Sequence, residues 1–210
     1  MRYALKVVAL GLVAAGMLVG CGGGDGGLSN PYPGNNNVNV VVAFGDSITQ
    51  GGQCSCTPYP ARVAGMIGKS VVNTGIGGSQ AVDNTGRCKT AISKYHPGFM
   101  IILYGVNDII HGGGIGGIIS ALNNMVNTCK NNNVVPVLMT YPKPIAGHSV
   151  FGGRTVHLNE QIRALASSQG VKLVDLEKEF KDNPQWYEED GLHPNDAGTA
   201  AIALAVADLF

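Results

Sequence analysis

The chain reads as an α/β protein, a three-layer α/β/α sandwich built on a five-stranded parallel sheet. Three observations carry this expectation. Val40-Val41-Val42-Ala43-Phe44 is an apolar, β-branched run that breaks abruptly into Gly45-Asp46-Ser47. Phe99-Met100-Ile101-Ile102-Leu103-Tyr104 is a second continuous apolar run. Continuous rather than alternating apolar runs mark strands buried on both faces, as in parallel sheets. Between such runs lie segments of helical length, and alternating strands and helices build a parallel sheet covered on both sides.

In order, the first strand is expected at about 39–44. A helix over 58–69 follows, with Pro58 near its start, where a missing N–H is harmless. Residues 70–73 form a short second strand that ends in Thr74-Gly75-Ile76-Gly77-Gly78-Ser79. A helix near 87–95 stops before His96-Pro97-Gly98, and the third strand covers 99–104. The helix over 115–130 ends at Asn131-Asn132-Asn133. Strand four, 134–140, leads into a Pro/Gly-rich loop over 141–153. A helix over 154–169, a strand over 171–175 and an Ala-rich helix over 195–209 close the chain. Right-handed crossovers make a flavodoxin-like arrangement the natural result.

A length of 210 residues suits one sizeable domain. Lys plus Arg equals Asp plus Glu at 14 each, so the charge carries no nucleic-acid footprint. The N-terminus reads as a secretory signal over 1–20: Arg2 and Lys6 precede an apolar, small-residue run over 7–20, shorter than the roughly 20 residues of a spanning helix. Without those two cations the balance is 12 basic against 14 acidic residues. Leu18-Val19-Gly20-Cys21 resembles a bacterial lipobox, in which the chain is cut before the Cys and the Cys is lipidated; the plainer reading is an ordinary signal with a coincidental Cys. Residues 21–37 then read as the lipidated Cys21 and a Gly- and Asn-rich tether, with the folded domain over 38–210. Gly22 lacks the acidic side chain linked to inner-membrane retention in similar lipoproteins, so the expected location is the outer membrane or cell surface.

Four separated blocks fall at the carboxyl edge of the sheet, where ligands bind in open α/β folds. They are Gly45-Asp46-Ser47, Asn73-Thr74-Gly75, Gly105-Val106-Asn107-Asp108 and Asp190-Gly191-Leu192-His193. Acyl transfer needs a nucleophile, a base, an orienter for the base and donors for an oxyanion. Ser47 suits the first role and His193 the second. Asp190, three residues before His193, can accept the imidazole Nδ1–H and fix the tautomer. The backbone N–H groups of Ser47 and Gly75 and the side-chain amide of Asn107 are the expected oxyanion donors, with Gly75 allowing close approach of backbone to ligand.

These blocks, with Asp190-Gly191-Leu192-His193-Pro194-Asn195 in the last, resemble the SGNH hydrolases, the GDSL esterase/lipase superfamily. Ser47, Gly75, Asn107 and His193 stand as that family's S, G, N and H, and the match runs from about Val38 to Phe210. The first block departs from the pattern in reading Gly-Asp-Ser-Ile, an apolar exchange. The resemblance implies a metal-independent ester hydrolase that uses no cofactor and works through an acyl-enzyme on Ser47. Its substrates would be small acyl esters or lysolipids or, alternatively, O-acetyl groups on polysaccharide. A non-catalytic surface module would have lost Ser47 or His193, and neither is lost.

Other residues have blander readings. Asp46 and Asp108 suit bracing of loops. His111-Gly112-Gly113-Gly114 imitates a lipase oxyanion motif, but no Gly-x-Ser-x-Gly elbow follows, so it reads as a mobile loop at the pocket rim. Residues 112–117 fit a dinucleotide-type glycine pattern but lack the acidic residue after the next strand. His96, His148 and His157 have no partner at metal-ligand spacing and read as surface or loop histidines. Trp186 and Tyr187 either wall the pocket or pack their own loop. Among the cysteines, Cys88 is expected to pair with Cys54 or Cys56 because their loops share one edge, leaving Cys129 buried and free; no ligand spacing supports a metal cluster.

Overall fold

The computed structural model describes residues 27–181 and 183–210. The signal segment, the lipobox and Cys21 lie outside these residues. The sheet has five strands, all parallel, in the order β2-β1-β3-β4-β5. They are β1 (Asn37–Gly45), β2 (Ser70–Asn73), β3 (Pro97–Leu103), β4 (Val135–Met139) and β5 (Lys172–Val174). The longer helices are α2 (Tyr59–Ile67), α3 (Thr85–Tyr95), α5 (Ile115–Asn131), α6 (Gly152–Gln169) and α8 (Asp196–Ala207). Three short ones interleave: α1 (Ser47–Gln50), α4 (Val106–Ile110) and α7 (Leu176–Phe180). The expected α/β sandwich is what forms.

Side-chain alternation along the strands divides the core in two. Val42, Phe44, Met100, Ile102 and Leu138 face a cluster completed by α3, α5 and α6. Val41, Ala43, Phe99, Ile101, Leu103, Val137 and Met139 face the other, completed by α2, α7 and α8. Every residue of β3 is buried, because that strand lies at the centre with neighbours on both sides and helices on both faces. The strand order reverses direction between β1 and β3, and the open crevice of such a sheet lies at that switch point. Ser47 follows β1 and Asn107 follows β3, so topology alone puts both at the crevice.

Two expectations are corrected here. The tether ends earlier than residue 37. Leu28 donates its N–H to the Leu209 carbonyl, Asn30 donates to the carbonyls of Gly98 and Asn133 (both 2.9 Å), and Asn36 to that of Asn132 (2.7 Å). Polar residues that composition assigns to a linker here satisfy loop carbonyls at the amino edge of the sheet. The cysteine pairing also differs: Cys54 is bonded to Cys56, and Cys88 is free and buried, as is Cys129. The loops do share an edge, but they lie over opposite faces. Cys88 points from α3 into the first cluster, 3.6 Å from Met100 Sδ, while Cys56 sits by Thr199 of α8 at the second. The Cys88 contact and burial both push the Cys129 thiol up, keeping it protonated.

Candidate active site

β1 delivers Asp46 and Ser47 from a rigid, buried strand into the single turn of α1. Asp46 caps that turn: its Oδ1 accepts the Ile48 N–H at 3.0 Å, and its Oδ2 accepts the Tyr141 hydroxyl at 2.6 Å. Burial pushes the Asp46 carboxyl up to about 6, and these hydrogen bonds only partly oppose it. Its role is bracing, as is that of Asp108, which accepts the N–H groups of Ala81 (2.7 Å) and Val82 (3.2 Å). The α1 turn leaves Ser47 6 % exposed, with its hydroxyl at the crevice.

The structure brings Ser47, His193 and Asp190 into one line. His193 Nε2 lies 2.9 Å from Ser47 Oγ, and His193 Nδ1 lies 2.5 Å from Asp190 Oδ2. With Nδ1–H committed to the carboxylate, Nε2 carries the lone pair that accepts the Ser47 hydroxyl. The second Asp190 oxygen accepts the N–H groups of Leu192 (2.9 Å) and His193 (3.0 Å). Burial raises the Asp190 carboxyl, but the His193 ring and these two amides outweigh it and hold the group below its ordinary value. It is therefore an anion at neutral pH, able to stabilise an imidazolium.

The donors for an oxyanion are arranged differently from the expectation. The Gly75 N–H is taken by Asn73 Oδ1 at 2.9 Å. A Cβ at Gly75 would lie 2.2 Å from the Gln50 N, so glycine is needed there to pack the loop against α1, not to approach a ligand. Further along the same loop, Gly77 donates to Gln50 Oε1 at 2.9 Å, and a Cβ on it would meet Ser47 Cβ at 3.9 Å. The Ser79 carbonyl accepts one Asn107 Nδ2–H at 3.1 Å. Gly78 lies between Gly77 and Ser79 on this loop. Among the described residues, the backbone N–H groups of Ser47 and Gly78 have no protein partner. Asn107 keeps its second amide hydrogen. Sequence reasoning missed Gly78 because the three glycines Gly75, Gly77 and Gly78 look alike until Asn73 and Gln50 are seen to occupy two of their amides.

The remaining candidates resolve by packing. His111 Nδ1 bonds the Asn107 carbonyl at 2.7 Å, and Arg154 donates to the carbonyls of Ile109 and Gly113, so the glycine loop expected to be mobile is tied to α4 and α6. Trp186 and Tyr187 stack edge-on against Phe180 with ring centroids 5.2 and 5.3 Å apart, which makes them packing residues of their own loop. The hollow bounded by Ser47, Ile48, Gly51, Gln53, Cys54 and His193 holds about 10 Å³, space for about one water.

Similarity to known proteins agrees with this geometry. The chain is 27 % identical over 174 residues to thioesterase 1/protease 1/lysophospholipase L1 of Escherichia coli (strain K12), covering 79 % of this chain and 80 % of that one. Its fold resembles a catalytic variant of an acetylxylan esterase from Geobacillus stearothermophilus (TM-score 0.71, 22 % identity, 83 % of this chain and 94 % of that one). It also resembles the acetyl xylan esterase AlAXEase (TM-score 0.69, 26 % identity, 80 % and 97 %). With the family model matched over residues 43–201, the chain belongs to the GDSL-like lipase/acylhydrolase family and is an ester hydrolase.

Proposed function

We propose that this chain hydrolyses carboxylic esters of short acyl groups through a covalent acyl-enzyme on Ser47. The observation that carries the reading is the unbroken contact from Ser47 Oγ through the His193 ring to the Asp190 carboxylate. Ser47 Oγ attacks the acyl carbonyl while His193 Nε2 takes its proton. The tetrahedral oxyanion then meets three donors: the N–H groups of Ser47 and Gly78 and the free Asn107 amide hydrogen. Gly78 replaces Gly75 in this role. His193 returns the proton to the leaving alcohol, and water repeats the sequence on the acyl-enzyme with Asp190 stabilising the imidazolium throughout.

The likeness to acetyl xylan esterases supports acetyl as the short acyl group, and a second reading in which the leaving alcohol is a sugar hydroxyl. The test is an activity series on p-nitrophenyl acetate through decanoate with the native chain and Ser47→Ala. Rates should fall at least about tenfold beyond butyrate, and Ser47→Ala should lose about 10⁴-fold or more in kcat. Equal rates for both proteins overturn the mechanism; a preference for decanoate overturns the acyl assignment. Release of acetate from acetylated xylo-oligosaccharide separates the sugar reading from simple esters.

The export reading belongs here too. Arg2, Lys6, the apolar run over 7–20 and Cys21 support a lipid-anchored protein of the bacterial envelope. Mass spectrometry of the mature N-terminus decides it: an acylated Cys21 supports the anchor, and an unmodified residue rejects it.

A further inference from the structure

We propose that His148 is a positioning residue for this hydrolysis, holding the Asp190–His193 pair in place against Ser47; the inference rests on Ser47 being the nucleophile. Among the described residues, the Asp190 carboxylate bonds Leu192 and His193 of its own turn and no others. Those bonds orient the carboxylate within the turn, but they do not set where the turn stands relative to Ser47, 146 residues away in the chain. The segment over 143–148 contributes to that second alignment, beside the burial of Leu192 in the second cluster and the Tyr187–Pro194 bridge. The Lys143 carbonyl accepts the Tyr187 hydroxyl at 2.9 Å, the Ile145 N–H donates to the Gly191 carbonyl at 2.8 Å, and His148 Nδ1 bonds the Asp190 carbonyl at 2.8 Å.

The backbone on both sides is shaped for this contact. Gly191 has φ +71°, and a Cβ there would lie 2.2 Å from the Ile145 carbonyl oxygen and 2.8 Å from Ala146 Cβ. Ala146 itself sits at φ +45°, a left-handed conformation that a side chain disfavours. Strained backbone persists where the surroundings over-determine it, and such positions gather at functional sites. Here it turns the chain into the 3₁₀ segment Ala146–Phe151, whose third residue is His148, with its ring 6.3 Å from that of Phe151. The donor thus reaches the peptide carbonyl of the one residue whose carboxylate orients the base. A misplacement of about 1 Å in such a relay can slow the reaction about 100-fold.

The test compares the full chain with Ser47→Ala, His148→Ala and His148→Asn, measuring kcat and KM on p-nitrophenyl acetate and the rate of fluorophosphonate labelling at Ser47. Asn places an amide N–H where the imidazole Nδ1–H stands. His148→Ala should lower kcat about 10- to 30-fold with KM within about twofold, slow labelling by the same factor, and be restored to within about threefold of native by His148→Asn. Full kcat in His148→Ala, a loss confined to KM, or His148→Asn as slow as His148→Ala overturns the proposal. If His148→Ala melts below the assay temperature, His148→Leu, which keeps bulk against Phe151 without the donor, takes its place under the same criteria. Native rates in Ser47→Ala would instead overturn the nucleophile assignment, whatever His148 does.

Discussion

Asp46 lies next to Ser47, fully shielded from solvent, and its ionisation bears on stability. Its folded pKa of about 6 stands above the ordinary 3.8, so the native state holds the proton more tightly than the unfolded chain. The stability this contributes is full below pH 3.8 and is lost as pH rises through 6. By pH 7 the ionised group has weakened the fold by about 3 kcal/mol relative to its protonated form. Asp46→Asn cannot ionise, and its carbonyl oxygen can still accept the Ile48 N–H. Between pH 4 and pH 7 its stability should therefore improve relative to the native chain by about 2.4 kcal/mol, since at pH 4 the unfolded-state carboxyl is already more than half ionised. Urea denaturation at the two pH values measures this; a constant difference would show that Asp46 keeps its ordinary pKa. Asp190 runs the other way: its lowered value means a contribution present above the ordinary carboxylate pKa and lost as pH falls through the folded one.

At the scale of elements, the single turn of α1 is too short to hold itself and is fastened by its neighbours. Asn73 donates to the carbonyls of Thr49 (2.8 Å) and Gln50 (3.3 Å), and Gln50 Oε1 accepts the Gly77 N–H. Gly75 is the point of backbone-to-backbone contact, where a Cβ would meet the Gln50 N and Cα and the Thr49 carbonyl carbon within 2.7 Å. Because all three are backbone atoms, the turn carrying Ser47 must shift to make room. Gly75→Ala should destabilise by about 1–3 kcal/mol and lower kcat about tenfold or more. Gly65→Ala, in the exposed middle of α2 with nothing within 4 Å of the new Cβ, should stabilise by about 0.5–1 kcal/mol at unchanged kcat. Thermal melts and steady-state rates on the two variants test the contrast, and equal behaviour would mean the Gly75 contact is immaterial.

Across the whole molecule, the site and the N-terminal segment occupy opposite edges of one sheet. Ser47, Asn107 and His193 lie beyond the carboxyl ends of the strands, whereas Asn30 and Asn36 bond the 132–133 turn and Gly98 at the amino ends. Leu28 packs onto the second apolar cluster. A chain beginning at residue 37 should consequently melt roughly 5 °C lower than one beginning at 27, a loss of about 1–2 kcal/mol, while kcat/KM stays the same. Differential scanning calorimetry with parallel kinetics checks it; an unchanged melting temperature would restore the reading of 27–36 as tether.

Much of this was legible without coordinates. Continuous apolar runs of strand length, alternating with segments of helical length, pointed to a buried parallel sheet, and four blocks of polar residues at strand ends named in advance most of the residues that meet at the crevice. Ser47, Asn107, Asp190 and His193 could be named because chemistry demands those residue types. What the residues themselves could not specify was which partner each polar atom takes. Gly75 and Gly78 differ only in whether Asn73 reaches the amide; Cys88 and Cys56 differ only in which face of the sheet they cover; His148 is an ordinary loop histidine until the Asp190 carbonyl is found beside it. Apolar periodicity is local and survives in one dimension, whereas hydrogen-bond assignment joins residues tens to more than a hundred positions apart and exists only once the chain has folded.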